Sequence, residues 1–147
     1  RYRLERAQLL LAQNDAAGAE RELQAVVPAN ASAQLRLDDT RVQLAWARLR
    51  LLQGRAPQAR ALAQTALDHV RASPLRAHYP RLEAQAALRL GQALSQQGHE
   101  RSDALVLLKH ALALHEKTDA PESPWLAEAK AALAAALREQ ARKTLKR

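Results

Sequence analysis

Hydrophobic residues recur at helical spacing along most of the chain, most clearly between Arg81 and Lys117. There the pattern is interrupted at Gln96-Gln97-Gly98-His99 and restarts at Ala104. A helical period broken by a glycine predicts two helices joined by a turn. The inner positions of this predicted pair are Leu82, Ala86, Leu90, Leu94, Ala104, Leu108, Ala111 and Leu112.

The same periodicity predicts five more main helices, running over Arg1–Gln13, Asp15 to about Val27, Ala33 or Leu35 to Gln53, Pro57 to about Val70, and Ser123 to about Leu145. Asp15 and Ser123 are helix-start signals, because their side-chain oxygens cap free backbone N–H groups. Pro28 ends the second helix and opens a connector that reaches Ser32. The inner positions include Leu4, Ala7, Leu10, Leu11, Ala19, Leu23, Val26, Leu37, Leu44, Ala47, Leu51, Ala59, Leu62, Ala63, Ala66, Leu67, Leu126, Ala129, Leu133 and Leu137.

Two prolines bracket an irregular segment before Arg81. Ser73-Pro74 is a helix-start signal, but Pro80 would clash with the carbonyl group of Arg76 in a continuous helix. We therefore expect a turn or two of helix at 74–79, followed by a break before Arg81.

The turn residues suggest that one helical hairpin is repeated. Asn14, Gly54 and Gly98 would end successive first helices, and they stand 40 and 44 residues apart. Helical-hairpin repeats are typically about 34 to 47 residues long. We expect a single domain with approximate units 1–32, 33–72 and 80–117, and with 123–147 as a final capping helix.

Composition supports an all-α domain. The chain has 147 residues and is 48% hydrophobic, dominated by Ala and Leu, while the aromatic residues that favour strands make up 3%. The absence of cysteine excludes disulfides and thiolate metal sites. No apolar run is long enough for a membrane span, and no signal peptide is visible. Since the chain begins without Met, we expect a piece of a larger protein. The compartment stays open between the cytoplasm and the periplasm of a bacterium.

The formal net charge of +8 is carried mainly by arginine and has two interpretations. The arginines either lie on solvated outer faces, in a composition typical of a GC-rich bacterial genome, or they bind an acidic partner such as nucleic acid. Binding to nucleic acid would give an affinity that falls steeply with salt. The scatter of the basic residues, without interleaved aromatics, argues against that partner.

Residue types that carry catalysis or bind metals occur without the required spacing. The serines fall mostly at caps or turns, no glycine-rich phosphate loop is present, and the carboxylates on the helices are interpreted as solvated. His110 and His115 diverge by about 140° around a helix, so they do not form a two-histidine metal site. The five histidines are His69, His78, His99, His110 and His115. We expect no cofactor, no metal and no enzymatic activity.

Leu90-Gly91, Ala93-Leu94, Gly98 and Ala104 together resemble a tetratricopeptide repeat. The resemblance implies a right-handed superhelix of antiparallel helix hairpins, a tetratricopeptide-like α-solenoid of about seven helices. The run Ser123-Pro124-Trp125-Leu126-Ala127-Glu128-Ala129 also resembles repeat segments of large bacterial signalling proteins. Those include regions appended to eukaryotic-like serine/threonine kinases and to transcriptional regulators.

In the tetratricopeptide family the first helix of each hairpin lines a concave groove that receives a peptide or helix. Arginine and glutamine there could bind the carbonyl or carboxylate groups of a ligand; the alternative is that they are ordinary solvated residues. Aligning the units predicts the groove residues Gln8, Arg41, Arg48, Gln85, Arg89, Gln92 and Gln96. One subclass of the family clamps a C-terminal carboxylate with a Lys and an Asn at two of the aligned positions. In this chain one of these positions holds Leu4, Leu44 and Leu88, and the other holds Gln8, Arg48 and Gln92.

The leading hypothesis is a non-catalytic scaffold or sensor module that binds a protein segment in this groove. The alternatives are self-association that makes a homo-oligomer of the parent protein, and charge-driven binding of nucleic acid or another anionic ligand. Trp46 is expected to fill a gap in the core, and Trp125 to staple a helix start. Charge reversal of Arg48 and Arg89 is expected to weaken partner binding without lowering the melting temperature.

Overall fold

A computed structural model describes residues 2–26, 33–98 and 101–145, and the side chains of these residues apart from 33–38. This part of the chain forms seven α-helices, one 3-10 turn and no strand, so the all-helical prediction is confirmed. The predicted end of the second helix at Val27, the connector from Pro28 to Ser32, and His99 lie outside the described residues, as does the side chain of Leu37. The helices are α1 Tyr2–Ala12, α2 Ala16–Gln24, α3 Ala33–Leu52, α4 Ala56–Ala72, α5 Pro80–Gln97, α6 Arg101–Thr118 and α7 Pro124–Leu145, with the 3-10 turn at Arg76–His78.

Three helices end with the same backbone conformation. Asn14, Gly54 and Gly98, which follow α1, α3 and α5, have φ angles of 61°, 74° and 73°. This left-handed conformation suits glycine and is tolerated by asparagine, and it closes a helix by satisfying its last carbonyl groups. After Asn14 the N–H of Asp15 donates to the Leu10 carbonyl at 2.8 Å, and after Gly54 the N–H of Arg55 donates to the Arg50 carbonyl at 2.7 Å.

The helix starts follow the predicted caps. The Asp15 carboxylate accepts a hydrogen bond from the Gly18 N–H at 2.9 Å, and the Ser123 hydroxyl accepts one from the Leu126 N–H at 3.4 Å. Pro80 is itself the first residue of α5, a position where its missing N–H costs nothing. The Ser73 hydroxyl accepts from the N–H of Leu75 at 3.1 Å, and only a single 3-10 turn follows.

Each helix packs against the next one in the sequence, and the odd-numbered helices also pack against one another. These additional contacts are α1 with α3, α3 with α5, and α5 with α7. Within the described residues, α2, α4 and α6 make no contacts with each other. The odd-numbered helices therefore form one continuous row, and each even-numbered helix packs between its two sequence neighbours.

Three clusters of buried residues hold this arrangement together. One joins α1, α2 and α3, a central one joins α3, α4, α5 and the start of α6, and the third joins α5, α6 and α7. Most predicted inner positions are buried, but Leu137 is 42% exposed. Within the described residues no helix is both long and apolar enough to cross a membrane. The predicted positions that are buried include Ala7, Leu11, Ala19, Leu23, Leu44, Ala47, Ala59, Ala63, Ala66, Leu67, Leu82, Ala86, Leu90, Leu94, Ala104, Leu108, Ala111, Leu126 and Ala129.

Gly91 sets the distance between α5 and α6. A Cβ atom placed on Gly91 would lie 2.8 Å from both Cγ and Cδ2 of Leu108, and 3.3 Å from the Ala104 carbonyl oxygen. Leu108 is itself buried, with 1% of its surface exposed, so its side chain has little room to move. The glycine that contributed to the tetratricopeptide resemblance is thus required by close packing.

Replacing Gly91 with alanine should lower the free energy of unfolding by about 1 kcal/mol in urea denaturation. Overpacking a core costs roughly 1–3 kcal/mol, more than the about 0.5–1 kcal/mol that alanine gains over glycine inside a helix. In a Leu108→Ala background the space is open, so the same substitution should be neutral or stabilising. A loss of stability there as well would contradict the clash as its cause.

Candidate functional site

The odd-numbered helices line two neighbouring clefts. One lies nearer the N-terminal ends of these helices and has a volume of about 1070 Å³, and the other lies nearer the C-terminal ends of α1, α3 and α5 and beside the middle of α7, with about 500 Å³. We call the first the aromatic cleft and the second the arginine cleft. Residues of the aromatic cleft include Leu4, Glu5, Gln8, Val26, Asp39, Arg41, Val42, Trp46, His69, His78, Tyr79, Arg81, Leu82, Gln85 and Trp125. Residues of the arginine cleft include Leu11, Asn14, Arg48, Leu51, Leu52, Arg89, Gln92, Ser95, Gln96, Glu128, Ala132, Ala135, Ala136 and Glu139.

The seven predicted groove residues divide between these clefts. Gln8, Arg41 and Gln85 line the aromatic cleft. The other four, Arg48, Arg89, Gln92 and Gln96, line the arginine cleft. Glutamine and arginine from three different helices are thus brought into two adjoining depressions.

Arg89 lies at the base of the arginine cleft and is ion-paired across it. Its side chain is 7% exposed, and both terminal nitrogens donate to the Glu128 carboxylate of α7, one of them at 3.3 Å. Arg89 also donates to the side-chain oxygen of Gln92 at 3.1 Å. The pair links the middle of α5 to the first half of α7.

Arg48 of α3 is a second, half-buried guanidinium near the same carboxylate. Burial, and then repulsion by Arg89, lower the pKa of Arg48, while Glu128 acts in the opposite direction. Burial alone would raise the pKa of Glu128, but Arg89, Arg48 and Gln92 outweigh it and hold that pKa below its usual range. Glu128 therefore stays ionised among donors from two helices.

The aromatic cleft gathers three of the four aromatic residues in the sequence. Each ring has a guanidinium above it: Arg41 lies 5.9 Å from the centre of Tyr79, Arg50 lies 5.1 Å from Trp46, and Arg81 lies 5.1 Å from Trp125. Cations over aromatic faces are attracted by the ring quadrupole, so these stacks order both partners.

The two tryptophans are therefore more than core residues. Trp46 packs against the cluster of α1, α2 and α3 as expected, but it is only half-buried, and it also lines the aromatic cleft. Trp125 is half-buried at the start of α7 and lies against Arg81. Both rings line the aromatic cleft.

Carboxylates on the helices are expected to be solvated, and this expectation is wrong for Glu83; the loop carboxylate of Asp119 is buried as well. The Glu83 side chain is 5% exposed, accepts from Arg76 at 2.6 and 3.0 Å, and lies 2.7 Å from His110. Burial would raise the pKa of Glu83, but the bond from Arg76 dominates and lowers it. This network fixes the 3-10 turn against α5, beside the aromatic cleft.

Asp119 organises the loop that leads into α7. Its fully buried carboxylate accepts from the Ser123 hydroxyl at 2.8 Å and from Arg81 at 3.1 Å, and it lies 3.0 Å from Nδ1 of His115. Burial opposes ionisation, but the bonds from Ser123 and Thr118 lead in holding the pKa of Asp119 low. The loop thereby sets where α7 forms the far wall of both clefts.

The hydrophobic periodicity gave little indication that the carboxylates of Glu83, Asp119 and Glu128 would be bound by other side chains. Glu128 lies two positions after Leu126 and one before Ala129, both of which are buried, so it borders the predicted inner stripe of α7. Including the last helix in the alignment of the groove-lining helices would have drawn attention to it. Nothing local marks Glu83, because Arg76 and His110 lie on other elements. Asp119, by contrast, has partners within four residues in His115, Thr118 and Ser123, and this spacing was a local signal that the hydrophobic pattern did not include.

No protein-family model, curated protein or solved structure matches the chain. The resemblance to tetratricopeptide repeats therefore depends on the sequence features alone. Among the described residues no cluster of three or more His, Cys, Asp or Glu side chains could hold a metal ion. The clefts combine hydrogen-bond donors, aromatic rings and apolar walls, as binding surfaces do.

His115 should make stability depend on pH. Its side chain is fully buried, and among the described residues its Nε2 has no hydrogen-bond partner. Burial lowers the pKa of His115 below 6.5, although Asp119 and Glu128 oppose this and Arg81 adds to it. The unfolded chain therefore takes up a proton that the folded chain does not, and the free energy of unfolding should fall as the pH drops below 6.5.

Urea denaturation at about pH 7.5 and 5.5, on either side of the ordinary histidine pKa, checks this dependence. The pKa values of Glu83, Asp119 and Glu128 are held low, so these carboxylates stay ionised across that window. His115→Asn should reduce the loss of stability at the lower pH. The exposed His69→Asn is the control and should leave it unchanged; equal pH dependence in both variants and wild type would contradict the role of His115.

The two arginines of the arginine cleft should differ in their effect on stability. Arg89→Gln leaves the Glu128 carboxylate without its main partner, and we expect a loss of about 2 kcal/mol or more, below the roughly 3–5 kcal/mol of a fully buried pair. Arg48→Gln should change the free energy of unfolding by less than about 1 kcal/mol. Urea denaturation measures both, and equal losses would contradict the assignment of Glu128 to Arg89.

Because Arg89 is ion-paired and Arg48, in the part of the chain that the structure describes, is not, charge reversal at these two positions should affect the melting temperature differently. Glutamate at position 89 would bring a second carboxylate beside Glu128 in a half-enclosed cleft, so we expect that variant to lower the melting temperature. Arg48→Glu also adds a carboxylate near Glu128, but Arg89 still pairs with Glu128, so we expect a smaller fall in the melting temperature.

Proposed function

We propose that the chain is a tetratricopeptide-like α-solenoid that binds a peptide or helix of a partner protein along its odd-numbered helices. The observation that carries the proposal is the continuous row of α1, α3, α5 and α7, which together line both clefts. In a right-handed superhelix of hairpins, the first helix of every hairpin faces inward. The row of odd-numbered helices has the contacts expected of such an inner layer.

The chemistry of the clefts suits a protein segment. The aromatic cleft combines rings with aliphatic residues such as Leu4, Val42 and Leu82, and the arginine cleft has a wall of alanines on α7. Side-chain donors and acceptors lie among these apolar surfaces, as in grooves that receive an amphipathic helix. Binding of this kind needs no cofactor and no catalysis, and we propose neither.

The repeated turns support the solenoid. Asn14, Gly54 and Gly98 have the same backbone conformation after α1, α3 and α5. The turn between the two helices therefore starts in the same way in three hairpins. We propose α7 as the final capping helix and a larger bacterial signalling protein as the parent. Within that parent the module would act as a scaffold or sensor.

A selection of displayed 16-residue peptides against the whole chain tests the proposal. Ala135 is an exposed residue of the α7 wall, so Ala135→Trp fills the arginine cleft without entering the core. Peptides selected by wild type should bind this variant at least about tenfold more weakly, a change of about 1.4 kcal/mol. Isothermal titration calorimetry measures both affinities.

Ala141→Trp is the matched control, since Ala141 is also exposed on α7 but is not among the cleft residues. It should bind the selected peptides as wild type does, and both variants should keep the wild-type melting temperature. Failure to select any peptide, or equal binding by the Ala135→Trp variant, would remove the groove from the explanation of function.

A further inference from the structure

The arginine cleft contains a positive charge without a matching carboxylate. Glu128 is engaged by both terminal nitrogens of Arg89, and Glu139, at the rim of the cleft, lies 3.6 Å from Arg142. Arg48 makes no hydrogen bond or ion pair within the described residues. The cleft therefore holds the half-buried guanidinium of Arg48. Its charge is only partly offset by Glu128, because that carboxylate is ion-paired with Arg89.

We propose that Arg48 forms a carboxylate-binding site in the arginine cleft. This site binds an aspartate or glutamate side chain of the bound protein segment. This inference rests on the proposed function, because it names the chemistry of the segment that occupies the groove. Guanidinium groups bind carboxylates through two parallel hydrogen bonds, and such bonds are stronger where water is partly excluded.

The surroundings of Arg48 favour an incoming anion. Burial and the neighbouring Arg89 both disfavour its positive charge, and an added carboxylate would relieve that cost. Gln92 and Gln96 line the same cleft. The Gln96 amide nitrogen donates to the Leu51 carbonyl at 3.5 Å, which leaves its second N–H for an oxygen of a ligand. The Glu128 carboxylate already occupies the corresponding position beside Arg89, so the cleft contains an internal example of the proposed contact.

A protein carboxylate fits this cleft better than a phosphate of a nucleic acid. The walls are Leu51, Leu52 and the alanines of α7, which suit the flanking residues of an amphipathic segment. Glu128 and Glu139 would repel the repeated negative charges of a phosphate backbone. One incoming charge balances Arg48, whereas a second would not be matched.

Nuclear magnetic resonance with a small probe tests the site without the partner. The probe is N-acetylglutamate amide, and its uncharged match is N-acetylglutamine amide, both titrated into the whole chain while the Nε–Hε signal of Arg48 is followed. A hydrogen bond to a charged group is worth about 1.5–3 kcal/mol. The acid probe should therefore shift this signal at concentrations at least about tenfold lower than the amide does.

Three variants, followed through backbone amide signals around the cleft, make the test decisive. Arg48→Gln should abolish the preference for the acid, and Arg71→Gln, which changes an exposed arginine of α4 outside both clefts, should retain it. Glu128→Gln keeps an oxygen acceptor for Arg89 but removes the competing negative charge, so it should strengthen binding of the acid probe. Weaker binding by this variant would overturn the charge argument.

The remaining outcomes separate the two proposals. Absence of a preference for the acid, or a preference that survives Arg48→Gln, overturns the carboxylate site even if the peptide selection succeeds. Inorganic phosphate that binds more tightly than the acid probe also overturns it, in favour of a phosphate ligand. A clear preference for the acid that Arg48→Gln abolishes supports the site even if no peptide is selected, and then only the proposed function fails.

Discussion

The packing of the whole structure depends on α5. Four helices contact it directly, and α1 and α2 are linked to it through α3. It packs against α3, α4, α6 and α7, and its residues belong to both the central and the third core cluster. A helix surrounded in this way needs small side chains, so that its neighbours can approach closely without leaving voids. Gly91 and the alanines at 84, 86, 87 and 93 provide them, and each of these alanines is fully buried.

Two buried charges on the same helix orient the elements around it. Glu83 binds Arg76 and His110 near the start of α5, and Arg89, about 1.7 turns later, binds Glu128. Moving a charge out of water costs several kcal/mol, and a buried pair often does no more than recover that cost. These pairs are therefore better understood as constraints on position. They allow one register for the 3-10 turn and one for α7, and those two elements form walls of the clefts.

The sequence predicted the helices and their inner faces because both depend on local rules. The period of Leu82, Ala86, Leu90 and Leu94 places them on one side of a helix whatever lies opposite, and Asp15 caps the N–H three residues ahead. Leu137 follows the same period but is exposed, because α7 continues along a side where few residues cover it. Periodicity identifies the apolar side of a helix, but it does not say how far a neighbour extends.

The site could be predicted only in part, for the same physical reason. The groove positions from Gln8 to Gln96 came from aligning repeated units, and those side chains do line the two clefts. The alignment contained no information on Glu128 or on the rings of Tyr79 and Trp125, because these residues lie on connectors or on the last helix. Whether an arginine is open or already paired depends on such distant elements. Arg48 and Arg89, which the sequence analysis treated alike, differ for this reason.

The two clefts also differ from each other in a way that bears on how a segment would bind. Both are built on the same parallel helices, and the interval from Gln85 to Gln92 corresponds to about 10 Å along α5. Rings with arginines above them lie on one side of this interval, and the partly offset charge of Arg48 lies on the other. Under the proposed function, a helix bound parallel to α5 would meet unlike chemistry at its two ends, so reversing it would separate an acidic side chain from Arg48. A segment running across the row, from α1 to α7, would contact only one cleft and would have no such preference. The separation of the aromatic and arginine clefts along α5 therefore gives one defined direction to a bound helix that lies parallel to α5.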